Sequence, residues 1–224
     1  MKTWKCSAAA LSLLVFGATS ALAGPPPYDN SNDTVTCGTI LKGVIKPKPV
    51  LTLTGAVPSV LAISGTLSGC SSPSNPNLVF PEGKSKFKGT INAPSNNCTA
   101  LAGVTTSTGT ITITWGAIDS VSGAGLLNKT STVTLPSMSS SGAFSVIAGD
   151  QHGDFTLGPP NVALTVAGGF RGPGGSGSAS SAEVITTESV TTILRACDTA
   201  AVPPAIPGKG LKQIAIGVGR VTLQ

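Results

Sequence analysis

From Thr108 to Trp115 the chain alternates without a break. Ile111, Ile113 and Trp115 fall on one parity, and Thr110, Thr112 and Thr114 on the other. Successive side chains of a strand point to opposite faces, whereas a helix repeats about every 3.6 residues, so this run is a half-buried strand. The same period recurs in Leu61-Ala62-Ile63-Ser64-Gly65-Thr66-Leu67 and in Thr132–Leu135, Ala143–Ile147 and Val162–Val166. In Lys84–Ile91, Lys84, Lys86 and Lys88 share one parity and oppose Phe87 and Ile91. Near the C-terminus Leu211, Ile214, Ile216 and Val218 precede Val221 and Leu223, so the parity changes around Gly219, which predicts a β-bulge.

Clusters such as Ser71–Pro76 and Gly158–Asn161 punctuate these runs as turns. Two stretches read as helical: one turn at Asn96–Leu101, and Thr187–Cys197, where Val190, Ile193, Leu194 and Cys197 share a face. Alternation, in place of long apolar runs, means antiparallel sheet with one wet face. The expectation is an all-β chain. It forms a single antiparallel barrel-like or sandwich domain of about nine to eleven short strands, with one short helix near the C-terminus and two disulfides.

Composition narrows the class further. The chain has 28 Gly and 17 Pro in 224 residues, with 10% charged and 4% aromatic side chains. So little charge excludes a coiled coil and a charged disordered tail. The aromatic girdles of an outer-membrane barrel are also missing from such a sequence. At the N-terminus Lys2 and Lys5 precede the apolar Ala8–Phe16 and the small-x-small Ala21-Leu22-Ala23. That order is a secretory signal peptide of the Sec type, and it is too short to cross a bilayer as a helix. The chain therefore divides into a signal peptide (1–23), a flexible Pro-rich arm (24–33) and one β domain (34–224) with a Gly/Ser-rich loop at 171–181. Cleavage takes two lysines and no acid from a formal charge of +5, leaving +3, too mild to indicate nucleic acid. No later segment is apolar for long enough to form a transmembrane helix.

Four cysteines follow the signal: Cys37, Cys70, Cys98 and Cys197. In an exported chain an even number reads as disulfides, with three possible pairings. Zinc is the rival, but no CxxC spacing occurs and His152, the only histidine, is far from every cysteine in sequence. The pairing Cys37–Cys70 and Cys98–Cys197 is favoured, because the first joins consecutive strand patterns and the second joins the two short helical segments.

Chemistry-bearing residues are few. Asp150, His152 and Asp154 would share one face of an extended segment and offer a polar or metal site. Read the other way, Gly149 and Gly153 make the segment a solvated turn. A serine triad has only His152 to use, no G-x-S-x-G elbow occurs, and no phosphate or dinucleotide fingerprint is present. No catalytic residue and no cofactor is assigned. Lys84, Lys86 and Lys88, with Lys42, Lys46 and Lys48 as a separate group, offer an anion-facing patch or a solvated edge. No aromatics interleave with them, which argues against single-stranded nucleic acid.

The order of Thr66-Leu67-Ser68-Gly69-Cys70, Lys86-Phe87-Lys88-Gly89-Thr90, Thr110–Trp115 and the helix ending at Cys197 before Gly208-Lys209-Gly210-Leu211-Lys212 resembles a group of small, uncharacterised all-β proteins exported by actinobacteria. The resemblance implies an exported, disulfide-linked β domain and brings no catalytic residues with it. The expected role is that of a non-catalytic, secreted or envelope-associated binding or structural module, with a cell-surface polymer as one possible partner. Two alternatives stand beside it. One is a barrel that carries an apolar small molecule in space left by Gly65, Gly89 and Ala163. The other is a metal-dependent hydrolase using Asp150, His152 and Asp154.

Overall fold

A computed structural model describes residues 24–98, 106–139, 145–146, 152–157, 164–199 and 209–224. Within them lie twelve strands and one helix. In chain order these are β1 (Val35–Lys48), β2 (Val57–Ser71), β3 (Leu78–Val79), β4 (Ser85–Asn96), β5 (Thr106–Thr114), β6 (Ile118–Asp119) and β7 (Thr130–Ser139). There follow β8 (Ser145–Val146), β9 (His152–Leu157), β10 (Thr165–Gly168), β11 (Ser181–Ser189), α1 (Val190–Cys197) and β12 (Ile214–Leu223). Ten strands form one sheet in the order β10-β7-β5-β4-β2-β1-β12-β11-β9-β8, and β3 pairs with β6 in a two-stranded sheet. Every ladder is antiparallel. The two-residue pair β3–β6 takes the count past the eleven that alternation suggested, because strands that short carry no readable period.

The sheet cannot be flat. Strands β7 and β8 stand eight places apart in its order, about 38 Å at ~4.8 Å per strand. Six residues lead from Ser139 to Ser145, and they reach at most about 22 Å. Strands β9 and β10 are also eight places apart, and the eight residues from Leu157 to Thr165 reach at most about 29 Å. Both connections fall short, so the sheet curls until its two ends approach, and its inner face closes on one core. That core joins Val35, Ile40 and Ile45 of β1, Leu61, Ile63 and Leu67 of β2 and Ile113 of β5. Val133 and Leu135 of β7, Val166 of β10 and Ile214, Ile216, Val221 and Leu223 of β12 belong to it as well, with Trp115 and Phe170.

Alternation predicts the inner face well. Ile113 and Trp115 are buried while Thr110 and Thr114 are exposed, and Leu61, Ile63 and Leu67 are buried while Ser64 is exposed. The parity change in β12 falls slightly earlier than expected. Ile185 pairs with Val218 and Thr186 with Ile216, so the bulge sits at Gly217–Val218 and turns Val218 outward.

Among the described residues, each end of the curled sheet carries its own cluster of contacts. At one end Phe80, Trp115 and Phe170 meet edge-to-face or tilted, with centroids 4.9–6.1 Å apart. The indole Nε1–H of Trp115 donates to Ser131 Oγ at 2.7 Å, and that hydroxyl donates in turn to the Gly169 carbonyl. At the other end Leu51 and Leu211 exchange backbone hydrogen bonds, Leu53 N–H donates to the Cys197 carbonyl, and Cys98 N–H donates to the Thr52 carbonyl. The disulfides are Cys37–Cys70, which bridges register partners on β1 and β2, and Cys98–Cys197, which ties the end of β4 to the last residue of α1. Both are the favoured pairs.

Two expectations need correction. The helix begins at Val190, not Thr187. Strand β11 runs on to Ser189, which is extended and caps the helix by accepting the Thr192 N–H on its hydroxyl. Residues 28–33 are not a loose arm. Asn30 is 0% exposed, its side chain exchanges two hydrogen bonds with the Asn128 backbone, and its carbonyl accepts the Phe170 N–H. The Gly/Ser-rich loop is also tied in: Val166 N–H donates to the Ser176 carbonyl and Gly172 N–H to the Asp33 carbonyl. A Cβ on Gly172 would lie 2.3 Å from the backbone of Gln224, and one on Gly177 would lie 2.2 Å from Val166. Only glycine permits so close an approach, so this loop straps β10 across to the end of β12.

Candidate functional site

The register that buries one face of the sheet sorts the other face into rows. One row runs Thr90–Thr110–Thr134–Thr165 across β4, β5, β7 and β10. Thr110, Thr134 and Thr165 are exposed, as are Thr108, Thr114 and Thr130 beside them. Threonine suits such positions because its branched Cβ favours extended backbone while its hydroxyl stays wet.

The same register gathers the lysines. On β4, Lys86 pairs with Thr66 and Lys88 with Ser64 of β2. On β1, Lys46 pairs with Ala62 and Lys48 with Val60 of β2. Continuing each row to β4 sets Lys46 level with Thr90 and Lys48 level with Asn92. Two lysine pairs therefore lie on one outer face with a single strand between them, and all four side chains are exposed. Strands β1, β2, β4, β5, β7 and β10 contain five lysines, counting Lys42, and no Asp or Glu. On β11, by contrast, Glu183 stands opposite Arg220 of β12, and Glu188 accepts the Ala215 N–H. Lys84 does not belong to the strand face. It lies in the turn before β4, where its N–H donates to the Pro81 carbonyl. The union of Lys46 and Lys48 with Lys86 and Lys88 escapes sequence reasoning, since it depends on a register carried through β2.

This stripe runs into a groove of about 390 Å³ lined by Pro58, Ser59, Val60, Asn92, Pro94 and Thr108, among others. The β4–β5 ladder stops at Asn92–Thr108, although β4 continues to Asn96 beside β2 and β5 begins earlier beside β7. Pro94 has no N–H to give to β5, which is one cause of the parting. Behind the groove Asn96, 1% exposed, donates from Nδ2 to Ser59 Oγ at 2.8 Å.

The remaining candidates fare differently. Asp150 lies outside the described residues. His152 and Asp154 lie on strand β9, opposite Ser189 and Ile185 of β11, and Asp154 also pairs with Ser145 of β8. Their backbone is therefore in the sheet rather than in a turn. Among the described residues no group of three His, Cys, Asp or Glu side chains is placed to hold a metal ion. Of the three small residues offered as cavity formers, Ala163 is outside the described residues. Gly65 is covered by its cross-strand partner Phe87, whose ring lies 2.7 Å from where a Cβ would stand. Gly89 lies tight against β5, with a Cβ position 2.4 Å from the Thr110 carbonyl. Both glycines serve close packing. Among the described residues no helix is long and apolar enough to cross a membrane.

At the aromatic end, Tyr28 carries a phenol raised above its ordinary value, first by burial and then by the Asp33 carboxylate beside it. A raised acid keeps its contribution to stability below the ordinary phenol pKa, about 10, and loses it as pH climbs past the folded value. Tyr28 is the only tyrosine in the chain, so ultraviolet titration reads it alone. The expected midpoint is above the ordinary value in the folded protein and falls back to it in denaturant. Coincidence of the two midpoints would contradict this environment.

No protein-family model, no curated protein and no solved structure matches the chain.

Proposed function

We propose that the protein is exported by the Sec route after removal of residues 1–23, and acts as a non-catalytic β module of the cell envelope or the extracellular space. It works through its outer surface. The observation that carries this reading is the contrast between the two faces of the sheet. The inner face packs on an apolar core, whereas the outer face of six neighbouring strands presents threonines and lysines with no carboxylate among them. Two disulfides support the exported setting, since such bonds persist in oxidising compartments. The basic, apolar and small order of residues 1–23 supports the route. The likeness to small exported actinobacterial proteins agrees with both.

The test is expression of the full chain in an actinobacterial host, followed by fractionation, N-terminal sequencing and thiol counting. The expected product lies in the envelope or the medium, begins at Gly24 and has no free thiol. A reduced product retaining Met1 in the cytoplasm would overturn the reading.

A further inference from the structure

We infer that the lysine stripe and the groove it enters form a binding surface for a linear acidic polysaccharide, one with a carboxylate on every sugar or every second sugar. The inference deepens the surface-module reading and rests on it. Along a strand, residues two apart are separated by about 6.8 Å, and neighbouring strands by about 4.8 Å. Lys86 and Lys88 therefore form one pair on β4, and Lys46 and Lys48 a second on β1, two strands and one row further on. From Lys86 to Lys48 the stripe crosses the sheet diagonally over about 22 Å. Four ammonium groups on flexible stems over that length make a sparse, one-sided array of positive charge. Exposed Ser64 and Thr90 lie on its path, and Thr110 and Thr114 flank it on β5.

Charge complementarity decides the occupant. A duplex nucleic acid carries a negative charge every ~1.7 Å of its axis, far denser than this stripe, and a single strand wants aromatic platforms. Strands β1, β2 and β4 offer one aromatic side chain, Phe87, on the inward parity. No arginine lies on those strands to grip phosphate in the bidentate manner. A polysaccharide with spaced carboxylates matches the separated lysines, and its hydroxyls find partners in the serine and threonine side chains between them. At its end the groove offers Pro58, Val60 and Pro94 to the apolar face of a sugar ring and the exposed Asn92 and Thr108 to its hydroxyls.

Polygalacturonate is the probe, used with the oxidised full-length protein in affinity electrophoresis. Neutral dextran, poly(glycerol phosphate) and duplex DNA are run in parallel. The expected result is retardation by polygalacturonate that weakens between low and physiological salt, with little retardation by the other three. The double variants Lys46→Gln/Lys48→Gln and Lys86→Gln/Lys88→Gln should each weaken binding by about tenfold or more, and the quadruple variant should lose it. All four positions are exposed, so unchanged tryptophan fluorescence and melting confirm that the variants remain folded. Arg220→Gln, on β12 opposite Glu183 and away from the stripe, should bind as the parent does. Retardation of the quadruple variant equal to the parent's would overturn the inference, as would preference for DNA or the phosphate polymer, or no binding at all. Each of these leaves the exported module in place if the protein begins at Gly24 with both disulfides formed. A reduced cytoplasmic product overturns that reading whatever the gels show.

Discussion

Replacement of Trp115 by alanine should lower the melting temperature by roughly 10–15 °C. The side chain is 4% exposed, sits between Phe80 and Phe170, and supplies the donor for Ser131 Oγ, itself in a residue that is 0% exposed. Truncating a buried tryptophan costs about 3–5 kcal/mol, and a chain of this size loses ~2–4 °C per kcal/mol. Both parts of the contribution are separable. Trp115→Phe keeps a ring against Phe170 but deprives the Ser131 hydroxyl of its donor, a cost of about 1–3 kcal/mol. Circular dichroism melts of the two variants should therefore rank alanine below phenylalanine and phenylalanine below the parent. An alanine variant melting within a couple of degrees of the parent would mean that the aromatic plug does not close this end of the barrel.

The second large effect is expected at the opposite end. Cys98 and Cys197 are 2% and 0% exposed, and their bond closes a separation of 99 residues, against 33 for Cys37–Cys70. In the chain-entropy view, losses on removing the two bonds are about 5 and 4 kcal/mol respectively. The whole margin of a domain is typically ~5–15 kcal/mol. Cys98→Ala with Cys197→Ala should lower the urea midpoint sharply, because it also unties α1 and the Leu51–Leu53 segment from β4. Cys37→Ala with Cys70→Ala should lower it less, since β1 and β2 remain joined by an extensive ladder. Removal of both bonds should leave the chain unfolded at ambient temperature. An order reversed between the two pairs would contradict the view that the helical end depends on its disulfide.

What the sequence reveals and what it hides follow from the range of each interaction. The faces of β2, β4 and β5 are readable because the alternation of Leu61–Leu67, Lys86–Ile91 and Thr110–Trp115 answers to one local cause, a wet side and a dry side. The disulfide pairing is readable because Cys37 and Cys70 end consecutive strand patterns. The start of α1 is misplaced because Thr187–Ser189 fits both a helical face and a strand, and the choice is made by pairing of Ser189 with His152 of β9. Asn30 looks like a loop residue, yet it is buried through hydrogen bonds to Asn128, 98 positions away. The lysine stripe is hidden for the same reason, since its two halves meet only after β1, β2 and β4 are in register. At His152 and Asp154 the neighbouring glycines suggest a turn, but the ladder to β11 extends the backbone there.

Native mass spectrometry of the secreted protein, without reductant, tests the central claim most directly: a disulfide-locked β domain that acts through its outer surface and carries no small molecule inside. The predicted spectrum shows the polypeptide from Gly24 onward, lighter by four hydrogens for its two disulfides, and free of any stoichiometric adduct. A retained apolar molecule, surviving in a complex of fixed stoichiometry, would contradict the claim by showing that the interior holds a ligand. So would the mass of a chain with four free thiols.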